Sequence, residues 1–241
     1  MVAYDVFTAD FYSWLDRAYV DLLAMGLSEG QEAGRLSRNI SNYDVYNMSL
    51  SPDTRAPFNV FTSPEWHNML ANLVGIRVTG DINAGFHHHS VQSKSGRVHN
   101  DFNPGWFADA AYPNEVNVSR NDICEYSSGK AFGAHVRVHQ TVRAIAVLYY
   151  FHNPTWTRGQ GGETGLYSDF GQPVAEPSKA VPPISNSLLL FECCPTSFHT
   201  FLSNRTAPRN SMIMWLHRPV KDAARRWGED SIVQWKNAPK N

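Results

Sequence analysis

Arg143-Ala144-Ile145-Ala146-Val147-Leu148-Tyr149-Tyr150-Phe151 is rich in β-formers and apolar on both faces, the pattern of a strand covered on both sides. Its apolar part, Ala144 to Phe151, is far shorter than the ~20 residues a membrane-spanning helix needs. Outward from it, Asn153-Pro154 ends the strand, and Gly159 to Gly162 supplies a turn before a strand at Glu163 to Tyr167. Ser187 to Phe191, Ser197 to Phe201 and Ser211 to Leu216 read as further short strands, and Val220 to Trp227 as a closing helix. Upstream the period lengthens. Thr8 to Met25 places Phe11, Leu15, Tyr19, Leu22 and Leu23 at steps of three or four, with Thr8 as N-cap and Gly26 as stop. Ser63-Pro64-Glu65 opens a second helix with Met69, Leu70 and Leu73 on one face. Residues 1–80 are therefore expected to form a helical buttress, with strands from about residue 82. The class is mainly β with flanking helices (α+β), a sandwich or barrel. The pattern argues against a parallel α/β sheet, because no helices alternate with the later strands. No repeat or linker divides the chain, so residues 1–241 are read as one domain.

Composition narrows the function. Among 241 residues, 21 Lys+Arg stand against 22 Asp+Glu, a net charge of −1 that gives no electrostatic reason to expect nucleic acid or an anionic membrane. Apolar residues make up 42%, enough for a real core. Cys124, Cys193 and Cys194 make no disulfide framework, and Met1 to Asp10 has neither a basic nor an apolar stretch of a secretory signal. The expectation is a soluble, reduced, cytoplasmic protein.

The chemistry concentrates around Val98-His99-Asn100-Asp101. If this segment is a strand, His99 and Asp101 project the same way and offer one ion an imidazole and a carboxylate. A second histidine from another strand would complete a two-histidine, one-carboxylate triad with positions left open. Taken alone, His-x-Asp is a weak signal. Downstream, Ser197-Phe198-His199 lies on a short strand, and Arg209-Asn210-Ser211 follows His199 by ten residues. Arg209 offers a rigid fork for a carboxylate, and Ser211 a hydroxyl on the same face. This spacing suits a cosubstrate with a carboxylate at each end.

Together, His99-x-Asp101, the strand Arg143 to His152, the turn Gly161-Gly162-Glu163-Thr164, His199 and Arg209-x-Ser211 resemble the 2-oxoglutarate/Fe(II)-dependent dioxygenases. The likeness is to their prolyl-hydroxylase-like branch, over residues 95–218. It implies a double-stranded β-helix (jelly-roll, cupin-like) core. It also implies His99, Asp101 and His199 as iron ligands, and Arg209, helped by Ser211 and Tyr150, as the clamp on 2-oxoglutarate. Such an enzyme consumes O2 and 2-oxoglutarate, releases succinate and CO2, and oxidises an unactivated C–H bond. Halogenating relatives lack the carboxylate, so Asp101 argues for hydroxylation or desaturation. Nucleic-acid repair relatives carry a second arginine six residues after the clamp, where this chain has Trp215.

Other residues admit plainer readings. His87-His88-His89 lacks a following glutamate and reads as a solvated loop. His135 and His139 are expected on one face of a strand, structural or at the surface, and are the next candidates for a third ligand. Arg143 reads as structural. Residues 102–142 form an insertion with Phe102, Pro104, Trp106, Phe107, Tyr112 and Tyr126, expected as a lid with Asn103, Trp106 and Phe107 nearest the iron. The substrate is expected to be a small molecule such as an amino acid or natural-product intermediate. A protein prolyl hydroxylase and a non-catalytic metal-binding jelly-roll module are the alternatives. The oligomeric state is not legible.

Overall fold

The computed structural model describes residues 1–40, 43–110 and 116–235. Tyr112 and part of the expected lid lie outside them. In chain order the elements are β1 (Val2–Ala3), α1 (Ala9–Ala24), β2 (Tyr46–Ser49), α2 (Pro64–Val74), β3 (Asp81–His89), β4 (Pro104–Ala108) and β5 (Asn117–Val118). Then come β6 (Val138–Tyr150), β7 (Thr164–Leu166), β8 (Lys179–Val181), β9 (Ser187–Glu192), β10 (His199–Phe201), β11 (Arg209–Pro219) and α3 (Val220–Trp227). The strands form an eight-stranded sheet, ordered β1-β9-β6-β11-β3-β2 with β4 added to β6 and β5 to β3, and a three-stranded sheet ordered β10-β7-β8. This is the expected jelly-roll core, with α1 and α2 on one face of the large sheet and α3 packed against Val142 and Ala146 of the other.

The alternation of β6 divides two environments. Ile145, Val147 and Tyr149 share a core with Leu15, Tyr19 and Leu22 of α1 and Trp66 and Leu70 of α2. Leu148 and Tyr150 pack instead with Val181 and Leu189. The helices start where their caps direct. Thr8 Oγ1 accepts from the Phe11 amide and Ser63 Oγ from the Trp66 amide, Pro64 holds the first position of α2, and Gly75 closes it at φ 68°.

Four expectations need correction. Of the expected face Leu70 is buried but Met69 and Leu73 are exposed, and α2 buries Trp66 and His67 in their place. The first 80 residues also contribute strands: β1 pairs with β9 and β2 with β3. His87 to His89 are no solvated loop but the end of β3, with His88 and His89 buried between β2 and β11. The first part of the expected lid is β4, paired with β6 from Pro104↔Val142 to Ala108↔Val138. No helix among the described residues is long and apolar enough to cross a membrane.

Candidate active site

His99 and His199 stand directly opposite each other. Each donates its backbone amide to the other's carbonyl, at 3.0 and 2.8 Å, and their ring centroids are 4.4 Å apart. Both imidazoles are oriented alike. Nδ1 of His99 lies 2.8 Å from the Arg97 carbonyl oxygen and Nδ1 of His199 2.9 Å from that of Ser197. A carbonyl only accepts, so both Nδ1 atoms carry the proton and both Nε2 atoms keep a lone pair.

Asp101 reaches them by a route other than strand alternation. Asn100 accepts the Phe102 amide on its side-chain oxygen, and its side-chain amide donates to the Pro195 carbonyl. This side-chain turn carries Asp101 into the left-handed region at φ 56°, a conformation Asp tolerates better than most residues. The result is the expected one. Nε2 of His99 is 3.5 Å from Oδ1 of Asp101, and Nε2 of His199 is 3.3 Å from Oδ2. One ligand atom from each residue lies within 4.8 Å of the others, the one such cluster among the described residues. Two neutral imidazoles and a carboxylate are a donor set suited to a first-row divalent ion such as iron(II). Burial and neighbouring His199 push the His99 pKa down to about 4. Burial alone would raise that of Asp101, but Arg143 and the two histidines outweigh it and hold the carboxyl well below its usual range.

Arg143 donates to Oδ1 of Asp101 at 2.6 Å, and the Trp215 indole donates to Oδ2 at 2.8 Å. The guanidinium lies 3.6 Å from the Trp215 ring and 5.1 Å from that of Trp235. Its Nε donates to Tyr126 Oη, which also bonds His217 Nε2, whose Nδ1 meets Thr141 Oγ1. The arginine read as structural is therefore the anchor of the Asp101 carboxylate.

Arg209 and Ser211 lie at the start of β11, opposite His89 and His87 of β3. Arg209 is buried, with Nη2 3.3 Å from Thr164 Oγ1, which lies 2.7 Å from Tyr150 Oη. Arg209 Nε and Ser211 Oγ are buried with no hydrogen-bond partner in the protein. Two such donors side by side fit an anionic ligand, since an unpaired buried donor is costly. Arg209 and Asp101 both act electrostatically on Tyr43 and on His87, and His87 lies opposite Ser211 in the strand register. Burial and then Arg209 push the His87 pKa down to about 3. Sequence reasoning missed Tyr43 and both histidines. The register of β3 against β11 finds the histidines, and the ring contacts of Tyr43 with His87 and His89 place the tyrosine beside them.

The remaining expectations are placed as follows. Asn103 is buried and donates its amide to the Val233 carbonyl at 2.6 Å. Phe107 is buried against Tyr126 and His217. Trp106 pairs with Gln140 and covers Gly129, where a Cβ would meet the indole at 2.5 Å. All three are thus engaged in packing the β4 region. His135 lies in an exposed turn before β6, not on a strand face shared with His139. His139 bridges Asp81 and Asp109.

The family model described as the 2OG-Fe(II) oxygenase superfamily matches residues 121–217. It takes in His199, Arg209, Ser211 and Tyr150; His99 and Asp101 lie before it. No curated protein matches the sequence. Among solved structures, a Pseudomonas putida prolyl-4-hydroxylase is 13% identical with a TM-score of 0.55, over 90% of this chain and 91% of that one. A Trichoplax adhaerens prolyl hydroxylase, solved with a peptide of the hypoxia inducible factor oxygen degradation domain, is 17% identical with a TM-score of 0.55, over 90% and 82%. The viral collagen prolyl hydroxylase of Paramecium Bursaria Chlorella virus-1, solved with 2OG, is 12% identical with a TM-score of 0.53, over 90% and 94%. At these identities the likeness is one of fold. Motif order, family model and fold agree in their likeness to the 2-oxoglutarate- and Fe(II)-dependent oxygenases. Its fold is that of the prolyl hydroxylases, and the oxygenases it resembles use Fe(II), 2-oxoglutarate and O2.

Proposed function

We propose that residues 1–241 form one oxygenase domain in which His99, Asp101 and His199 hold the iron, and Arg209, with Ser211 and Tyr150, holds the distal carboxylate of 2-oxoglutarate. The observation that carries this reading is the pairing of one three-ligand cluster with two unpartnered buried donors, Arg209 Nε and Ser211 Oγ. Iron and 2-oxoglutarate together supply the oxidising power, using O2 and releasing succinate and CO2. The protein's share is positioning. Arg143 and Trp215 fix the Asp101 carboxylate, the two backbone carbonyls fix the imidazoles, and Arg209 fixes the far end of the cosubstrate. Asp101 keeps the third ligand position on the protein, which supports hydroxylation of an unactivated C–H bond.

For the substrate, a prolyl residue within a peptide has the support of the three structural neighbours. The His99 side chain is 45% exposed while those of Asp101 and His199 are buried, so the cluster opens along one histidine edge, where an extended chain could cross. A free amino acid or natural-product intermediate is the second reading, and the same open edge suits it. Anaerobic titration of 2-oxoglutarate into the Fe(II) protein, followed by the metal-to-ligand charge-transfer absorption, tests the site. Succinate release stimulated by proline-containing peptides, and not by free amino acids, would support the peptidyl reading; the reverse would overturn it.

A further inference from the structure

The end of β3 places a third polar group in the Arg209 corner. His89 is fully buried and lies opposite Arg209 in the strand register. Its ring stacks on Phe201, with centroids 3.8 Å apart and planes 16° from parallel, and the Phe201 ring lies 5.4 Å from the Arg209 guanidinium. Its Nδ1 is 2.8 Å from the Asp44 carbonyl oxygen, so Nδ1 carries the proton. The neutral ring then presents Nε2 as a lone pair, buried and without a partner in the protein, as Arg209 Nε and Ser211 Oγ are.

The groups around His89 decide its charge. Arg209 faces it from β11, His87 and His88 flank it on its own strand, and the Tyr43 ring lies 5.4 Å away. The Asp44 carboxylate next to the bonded carbonyl is engaged by Arg38 and by the Lys94 amide. Burial first and Arg209 next hold its pKa well below the ordinary histidine value. A carboxylate brought to Arg209 therefore meets an imidazole lone pair as well as a guanidinium. Two acceptors facing each other in a dry corner repel. A proton between them turns the clash into a charge-assisted hydrogen bond.

We propose that binding of the distal carboxylate of 2-oxoglutarate takes up one proton from solvent, shared between His89 Nε2 and a carboxylate oxygen, so that His89 becomes a second cationic grip beside Arg209. Neutral His89, a proton and the carboxylate give an imidazolium–carboxylate pair, and no other bond is made or broken. The proposal rests on the assignment of Arg209 to that carboxylate.

Isothermal titration of 2-oxoglutarate into the anaerobic Fe(II) protein near pH 7.5, in buffers of different ionisation enthalpy, counts the protons. We expect about one proton taken up per cosubstrate bound, with affinity tightening as pH falls by up to about tenfold per unit. Pyruvate, which lacks the distal carboxylate, should take up none. In His89→Gln, 2-oxoglutarate should bind without uptake and with a flat pH profile. Binding in the wild type without uptake, or uptake that persists in His89→Gln, would overturn the proposal and leave the Arg209 assignment intact. Failure of wild type to bind 2-oxoglutarate at all would overturn that assignment, and this proposal with it.

Discussion

Asn100 separates the two proposed ligands His99 and Asp101, and its side chain turns the backbone so that Asp101 faces the two imidazoles at positive φ. The three proposed ligands are held by two backbone carbonyls, an indole and the Arg143 guanidinium. His99→Ala, Asp101→Ala and His199→Ala should each abolish succinate formation and sharply weaken Fe(II) binding, while circular dichroism stays native. Near-full activity in any of them would remove that residue from the ligand set. Arg209→Ala should weaken 2-oxoglutarate by two to three orders of magnitude, because breaking a buried charge pair costs ~3–5 kcal/mol and each decade is ~1.4. Arg209→Lys should fall between, with the charge kept and the fork lost. Fe(II) affinity should hold in both, and equal 2-oxoglutarate affinity in all three proteins would refute the clamp. The spacing of His99, Asp101, His199 and Arg209 was legible because each is a chemically distinctive residue in a fixed order. Arg143, His87 and His89 were not. A buried arginine and a polar histidine run take their meaning from partners far along the chain, Asp101 for one and β11 for the others.

At the scale of elements, the Gly161-Gly162 turn brings chain and clamp together. Gly161 has φ 83°, and a Cβ there would lie 2.1 Å from the Ser203 carbonyl oxygen. A Cβ on Gly162 would touch the Arg209 stem at 3.6 Å. Gly161→Ala should lower stability by roughly 2 kcal/mol or more, through both strain and collision, seen as a lower urea midpoint. An unchanged midpoint would mean that the turn relaxes freely. Gly162→Ala, strained in backbone but with room for its methyl, should cost less. Both long helices were readable from caps and period, because those signals are local. The strand β4 was not. Its five residues carry Pro and Gly, and the surface it needs is supplied by β6 more than thirty residues later.

Across the whole molecule, charge is sparse and much of it is paired between distant segments. His139 of β6 reaches Asp81 at the start of β3 at 3.1 Å and Asp109 after β4 at 3.0 Å, and Asn117 of β5 donates to the same Asp81. Burial opposes the charge on His139, but the two carboxylates outweigh it and raise its pKa. A raised folded-state value stabilises fully below the unfolded value of ~6.5 and is lost as pH rises through the folded one. His139→Gln should therefore cost more stability at pH 6 than at pH 8.5, by about 0.5 kcal/mol, since the ring is partly solvated. Denaturant melts at the two pH values decide it, and an equal loss at both would exclude the ion bridge.

The division into a large and a small sheet has a consequence for the lifetime of the protein. His199 belongs to the three-stranded sheet, whose strands are three residues each, and Arg209 to the eight-stranded one. A metal held by His199 and a dicarboxylate held by Arg209, as proposed, would rivet a weak leaf to a strong one. At a hundred times its dissociation constant a ligand adds about 2.7 kcal/mol to the folded state. Amide hydrogen exchange should slow most in β7, β8 and β10 on loading with iron and 2-oxoglutarate, and least in β6. A cell short of either would then hold a chain whose small leaf opens more often, and proteolytic turnover would follow nutrient supply.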